Sequence, residues 1–164
     1  MEIKQEKKVY VAMAGDLLHH GHMNIIKTAR TYGEVYVGLL TDSAIASYKR
    51  VPVLTYEQRK TVIENIVGVS KVVPQDSLDY TFNLRLIKPD YVVHADDWVS
   101  GPQQETRSKV VEVLKEWGGR LIEVPYTSGV SSTMLINHLN CNGISIEYRR
   151  RLLKRLLSLK PCLR

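Results

Sequence analysis

Three histidines stand within four positions, His19, His20 and His22, with Gly21 between the last two. The run Asp16-Leu17-Leu18-His19-His20-Gly21-His22 follows a strand-like apolar stretch and precedes a segment with helical spacing. The start of a helix offers unpaired backbone N–H groups and the positive end of the helix dipole, a setting that suits phosphate. Gly21 lets a backbone or a ligand come close at that turn. His19 and His22 flank the turn, and both can donate to phosphate oxygens. Two histidines three apart could instead bind a metal, and a single histidine is more often structural. With glycine leaving room between the imidazoles, the strand–loop–helix setting favours phosphate chemistry.

The elements that must position this turn alternate along the chain. Val9–Met13, Glu34–Leu40, Lys71–Val73, Tyr91–His94 and Arg120–Val124 read as short strands. Between them, His22–Tyr32, Tyr56–Ile66 and Thr106–Trp117 carry apolar residues at steps of three and four, which predicts helices with one buried face. Strands alternating with helices predict an α/β fold, a Rossmann-like parallel sheet of about five strands with helices on both faces. Ligands of such sheets bind beyond the carboxyl ends of the strands, near a switch in strand order. Gly118-Gly119 ends the third helix, and Asn140-Cys141-Asn142-Gly143 reads as a turn cluster. These signals predict a domain over residues 1–140 and a basic helical tail over 141–164.

Composition bounds the rest. The 164 residues are 44% hydrophobic and 24% charged, values of an ordinary folded domain. No apolar run approaches the roughly 20 residues of a membrane span. The charged start, MEIKQEKK, lacks a signal-peptide core. Two cysteines, Cys141 and Cys162, make no disulfide framework or metal spacing. Together these point to a cytoplasmic protein. The net charge of +6 is concentrated in residues 148–164, which hold seven basic residues and no acid. The remainder is 16 basic against 17 acidic residues, so the body carries no nucleic-acid footprint.

The run DLLHHGHMNIIKTA resembles the signature of the His-x-Gly-His nucleotidyltransferase superfamily, which includes glycerol-3-phosphate, ethanolamine-phosphate and choline-phosphate cytidylyltransferases. Further matches follow in order. Tyr48-Lys49-Arg50 resembles the family's lysine-bearing phosphate loop, and Tyr56-Glu57-Gln58-Arg59-Lys60 its Tyr-Glu-x-Arg segment. His94-Ala95-Asp96-Asp97-Trp98 is similar to Gly-Asp-Asp-Trp, and Gly129-Val130-Ser131-Ser132-Thr133 to Gly-Ile-Ser-Thr-Thr. ASYKR, LTYEQRK, VVPQDSLDY, KPDYVVHADDW and EVPYTSGVSST together resemble the cytidylyltransferase domain fused to phosphoenolpyruvate phosphomutase in phosphonate biosynthesis, the fosfomycin pathway included. The tail resembles the lead-in to that mutase domain. Two stretches depart, the first matching only at its Asp. Met13, Ala14, Gly15 and Asp16 stand where Gly-Thr-Phe-Asp is common, and Tyr126 or Thr127 stands where an arginine often precedes the last motif.

The resemblance implies transfer of CMP from CTP to a small phosphonate, 2-hydroxyethylphosphonate first, with release of pyrophosphate. It assigns His19, His22, Lys49 and Arg59 to catalysis. Met13, Ala14, Gly15, Asp16, Gly21, His94, Asp96, Asp97, Trp98, Tyr126, Gly129, Val130, Ser131, Ser132 and Thr133 would bind the nucleotide. Lys49, Arg59 and Tyr80 would meet the acceptor, and Asp79 with Tyr80 could cage an ammonium. Mg²⁺ is expected mainly on the triphosphate, with Asp16 the candidate protein ligand. A homodimer is implied, with neither nucleic acid nor membrane as partner. Plainer readings stand beside these: Trp98 as core, Ser131–Thr133 as an N-cap, and Lys49 with Arg59 as a solvated surface pair. An alcohol-phosphate cytidylyltransferase of the glycerol-3-phosphate type and a non-catalytic CTP-binding module are the alternative functions. The leucines and bases of RRRLLKRLLSLK could also lie on a membrane or nucleic acid, although a linker helix docked on its own chain is the plainer expectation.

Overall fold

A computed structural model describes residues 6–100, 103–141, 151, 154 and 155. Five strands, β1 (Lys8–Met13), β2 (Glu34–Leu40), β3 (Val69–Gln75), β4 (Tyr91–Ala95) and β5 (Arg120–Val124), form one sheet in the order β3-β2-β1-β4-β5. Every pairing is parallel. Among the described residues the helices are α1 (His20–Ala29), α2 (Asp42–Ala46), α3 (Tyr56–Glu64), α4 (Thr81–Ile87), α5 (Gln104–Lys115) and α6 (Ser132–Cys141), with a 3₁₀ turn at Asp96–Trp98.

The period of two along β1 explains both layers. Val9, Val11 and Met13 face a core closed by α1 and α3 through Ile26, Ala29 and Ile63. Tyr10 and Ala12 face the other core, closed by α4 and α5 through Leu84, Val110, Val113 and Leu114. The sheet is therefore covered on both faces, as expected of a parallel sheet. From β1 the chain builds outward to β2 and β3, then crosses to β4 and β5. The switch in direction lies between β1 and β4, and the loops after these two strands meet there.

Several boundaries differ from the sequence expectation. β3 is longer than Lys71–Val73 because Pro74 continues it; at the sheet edge its missing N–H costs no ladder bond. The helices α2 and α4 carry no long apolar stripe. Phe82 and Leu86 of α4 face solvent, so its pattern gave no signal. The expected turn cluster at Asn140 is helical through Cys141. Asn142 and Gly143 lie outside the described residues, as does most of the tail. No helix among the described residues is long and apolar enough to cross a membrane.

Candidate active site

Beyond β1 the chain turns sharply at Gly15, whose φ of +59° falls in the left-handed region. Asp16 then folds inward to 3% exposure. Its carboxylate accepts the Leu54 N–H at 3.0 Å and pairs with Arg50 at 2.8 Å. The loop before α1 is thereby tied to the loop before α3, and α1 is aimed at the switch point.

The start of α1 is capped by its own histidines. The Gly21 N–H donates to His19 Nδ1 at 3.2 Å, and the His19 N–H donates to His22 Nδ1 at 3.3 Å. A backbone amide can only donate, so both Nδ1 atoms must be unprotonated acceptors. In the neutral rings the proton therefore sits on Nε2. Burial, then the neighbouring His19 and Lys49, push the His22 imidazole down to about 4. Burial and His20 lower His19 as well. The rings, with centroids 4.1 Å apart, form a pair of neutral N–H donors. Both line one cleft.

Other predicted residues converge on that cleft. Lys49 enters just past α2, its amine 5.4 Å from the centre of the Tyr48 ring. Burial and Arg50 lower its pKa, while Asp16 and Asp97 oppose the fall. Met13 and Ala14 line the cleft at the end of β1, and Gly21 at the start of α1. His94 reaches it from the end of β4, Asp97 from just beyond that strand, and Tyr80 from the start of α4. Tyr126, Ser131 and Ser132 line its far wall. Ser131 Oγ accepts the Met134 N–H at 3.1 Å, so it caps α6 while its helix start faces the cleft. His94 Nδ1 lies 2.8 Å from the Ala95 carbonyl and must donate to it. The neutral ring thus keeps an unprotonated Nε2, and burial lowers its pKa. Donors, a cation, an acceptor and a carboxylate share one cleft, an arrangement able to hold a polyphosphate at one end and a polar group at the other.

Several predicted residues have other places. Arg59 has no exposed surface. Its guanidinium donates to the Ala14 and Leu54 carbonyls and pairs with Asp42 at 2.8 Å. It braces the floor of the cleft rather than meeting a substrate. Trp98 is fully buried core, stacked on His94 at 3.7 Å and donating to Glu123 at 2.8 Å. It holds the histidine and leaves no face for a base. Asp96 accepts the Tyr126 N–H at 2.9 Å and so fixes the loop after β5. Gly15 and Asp16 border a neighbouring apolar cavity. Gly129, at φ +79°, with Val130 turns the chain toward α6 without lining the cleft, and Thr133 is exposed outside it. Asp79 accepts the Thr81 N–H and pairs with Lys109, away from the cleft lining.

One Asp16 oxygen accepts the Leu54 amide and the other, buried and without a hydrogen bond, is ion-paired with Arg50, and Asp16 lies outside the lining of the histidine cleft. Among the described residues, no group of three or more His, Cys, Asp or Glu side chains could hold a metal ion. Sequence reasoning missed Gln103 and Pro125 of the lining. Gln103 precedes α5 without a side-chain cap, so no local pattern singles it out. Tyr48 was legible only as the neighbour of Lys49.

The family described as cytidylyltransferase-like matches residues 16–138. The chain is 32% identical to the ethanolamine-phosphate cytidylyltransferase of Mus musculus, over 82% of this chain and 35% of the mouse protein. It is 30% identical to the glycerol-3-phosphate cytidylyltransferase of Bacillus spizizenii, over 79% of this chain and 94% of that one. The chain thus spans about a third of the ethanolamine-phosphate relatives' length. A solved lipopolysaccharide core biosynthesis protein from Thermoplasma volcanium superposes with a TM-score of 0.64 at 19% identity, covering 75% of this chain and 99% of that one. That last likeness speaks for the fold.

Proposed function

Because the chain belongs to the cytidylyltransferase-like family, we propose that its cleft transfers CMP from CTP to a small phosphorus oxyanion. An acceptor P–O⁻ forms a bond to the α-phosphorus of CTP. The bond from the α-phosphorus to the bridging oxygen breaks, and pyrophosphate leaves with that electron pair. The acceptor is anionic at neutral pH, so no strong general base is needed. The barrier lies in bringing two polyanions together and in stabilising charge on the phosphoryl oxygens.

The paired imidazoles carry this reading. With both Nδ1 atoms held by backbone N–H groups, His19 and His22 present preset Nε2–H donors, which need no reorganisation as charge builds. Lys49 adds positive charge, and the starts of α1 and α6 carry no acid in their first turns. Arg59 acts behind the cleft, by fixing Ala14. Magnesium, on this reading, arrives as part of the nucleotide substrate and is held by its triphosphate oxygens.

The acceptor we favour is an alcohol phosphate with a polar end. The relatives named for ethanolamine phosphate and glycerol 3-phosphate support this class. Asp97, the His94 Nε2 lone pair and the buried Tyr80 favour an ammonium at that end, as in ethanolamine phosphate. A second reading, a phosphonate such as 2-hydroxyethylphosphonate, draws support from the runs ASYKR and EVPYTSGVSST and from the small Ala14. Turnover with CTP and with ATP, each against ethanolamine phosphate, glycerol 3-phosphate, 2-aminoethylphosphonate and 2-hydroxyethylphosphonate, tests it. CTP with ethanolamine phosphate should give the highest kcat/KM. A phosphonate in first place would overturn the alcohol-phosphate assignment, and ATP in first place would overturn the cytidylyl transfer.

A further inference from the structure

Lys49 sits in a segment, Asp42–Leu54, that leaves β2 through α2 and returns to the start of α3. The end of that segment is tied on one side by Asp16, which holds Arg50 and the Leu54 N–H. On its other side lies Arg155, from the basic tail. Arg155 Nη1 donates to the Pro52 and Val53 carbonyls, both at 3.3 Å. Its Nη2 donates to the Leu54 carbonyl at 3.4 Å and to the Asp42 carboxylate. The second Asp42 oxygen takes Arg59, which also holds the Leu54 carbonyl. One planar guanidinium therefore joins the first residue of the segment to its last three. Lysine, with a single ammonium, could not span them.

We infer that Arg155 is a positioning residue: it staples the Asp42–Leu54 segment closed and so holds Lys49 in the cleft. The inference rests on reading that cleft as a phosphate-handling site. Arg155 touches the loop's carbonyls and Asp42, and it acts on substrate only through Lys49. The Arg155 side chain is 23% exposed, so its removal opens no core. The Pro52 and Val53 carbonyls would lose this donor while Leu54 keeps Arg59, and the chain between α2 and α3 would gain freedom. The basic tail thereby acquires a role in the site, distinct from binding a membrane or a nucleic acid.

The test uses the full chain carrying Arg155→Ala. Without substrate, amide hydrogen exchange over residues 50–54 should accelerate by about fivefold or more, while the strands keep their protection. In steady state, the variant should raise the KM of whichever substrate Lys49→Ala affects, also by about fivefold, with kcat changed far less. Arg155→Lys should restore part of that affinity. In a Lys49→Ala background, Arg155→Ala should add nothing, since the staple acts through the lysine. Unchanged exchange over 50–54, or KM effects that multiply in the double variant, would overturn the inference. If no acceptor supports turnover in the parent chain, the functional reading fails, and the exchange experiment alone still decides the staple.

Discussion

At His22 the backbone N–H of His19 sits on Nδ1 at 3.3 Å, so the ring meets the cleft with its proton on Nε2. Replacing His22 by alanine should leave the fold intact and lower kcat by roughly 10²–10³, the loss typical of one transition-state donor. Stopped-turnover assays with purified variant check this; a near-parental kcat would remove the ring from the chemistry. The same burial has a pH signature. The unfolded histidine takes up a proton near pH 6.5, while the folded ring resists until about 4. Stability present above pH 6.5 is therefore lost as pH falls toward 4, by at most roughly 3 kcal/mol. Urea midpoints at pH 7 and pH 4.5 should show the parent losing more than His22→Gln over that interval. Equal losses would mean that the ring is not held neutral.

The spacing of α1 matters as much as its residues. A Cβ on Gly21 would lie 3.0 Å from Cε1 and Nδ1 of His19 and 3.5 Å from Thr127. Gly21→Ala should thus displace the His19 ring while improving the helix by about 0.5–1 kcal/mol. The expected result is an unchanged or raised Tm with kcat lowered by about tenfold or more, measured on one preparation. A parental kcat would show that the glycine is not needed for ring placement. This element was legible in advance, because glycine between histidines at a strand–helix junction has few other uses. β2 and β5 matched their apolar runs residue for residue. By contrast, β3 runs past both ends of the expected Lys71–Val73 and through Pro74, and α2 was hidden by its length. The ties made by Asp16, Arg59 and Trp98 were not legible either, although Trp98 as core was the plainer reading and holds. Each stands in a family-like motif, yet its partners, Arg50, Asp42 and Glu123, come from other elements. Only the folded chain brings those partners together.

Across the whole molecule, the cleft stands on a buried ionic frame. Arg59, with no exposed surface, depends on Asp42 for its charge partner. Asp42→Ala would leave that guanidinium buried and unpaired, at a cost of about 3 kcal/mol or more. The exposed pair Arg85–Glu116 is the control, and its loss should cost far less because solvent screens it. Denaturant midpoints of both variants decide the matter; equal effects would mean that the buried pair is not a frame. The parallel sheet of about five strands and both helical layers followed from the alternation of strands and helices, and the turn after β1 from its histidines; the strand order came only with the fold. The tail's reach to the cleft floor did not, because a basic leucine-rich run has no period that names Pro52, Val53 and Leu54 as its partners. The most direct test of the account is pyrophosphate release from CTP and Mg²⁺ by the full chain, with ethanolamine phosphate as acceptor and His22→Ala beside it. Acceptor-dependent release that collapses in the variant is the predicted result; CTP binding without release for any acceptor, or release untouched by the variant, would contradict it.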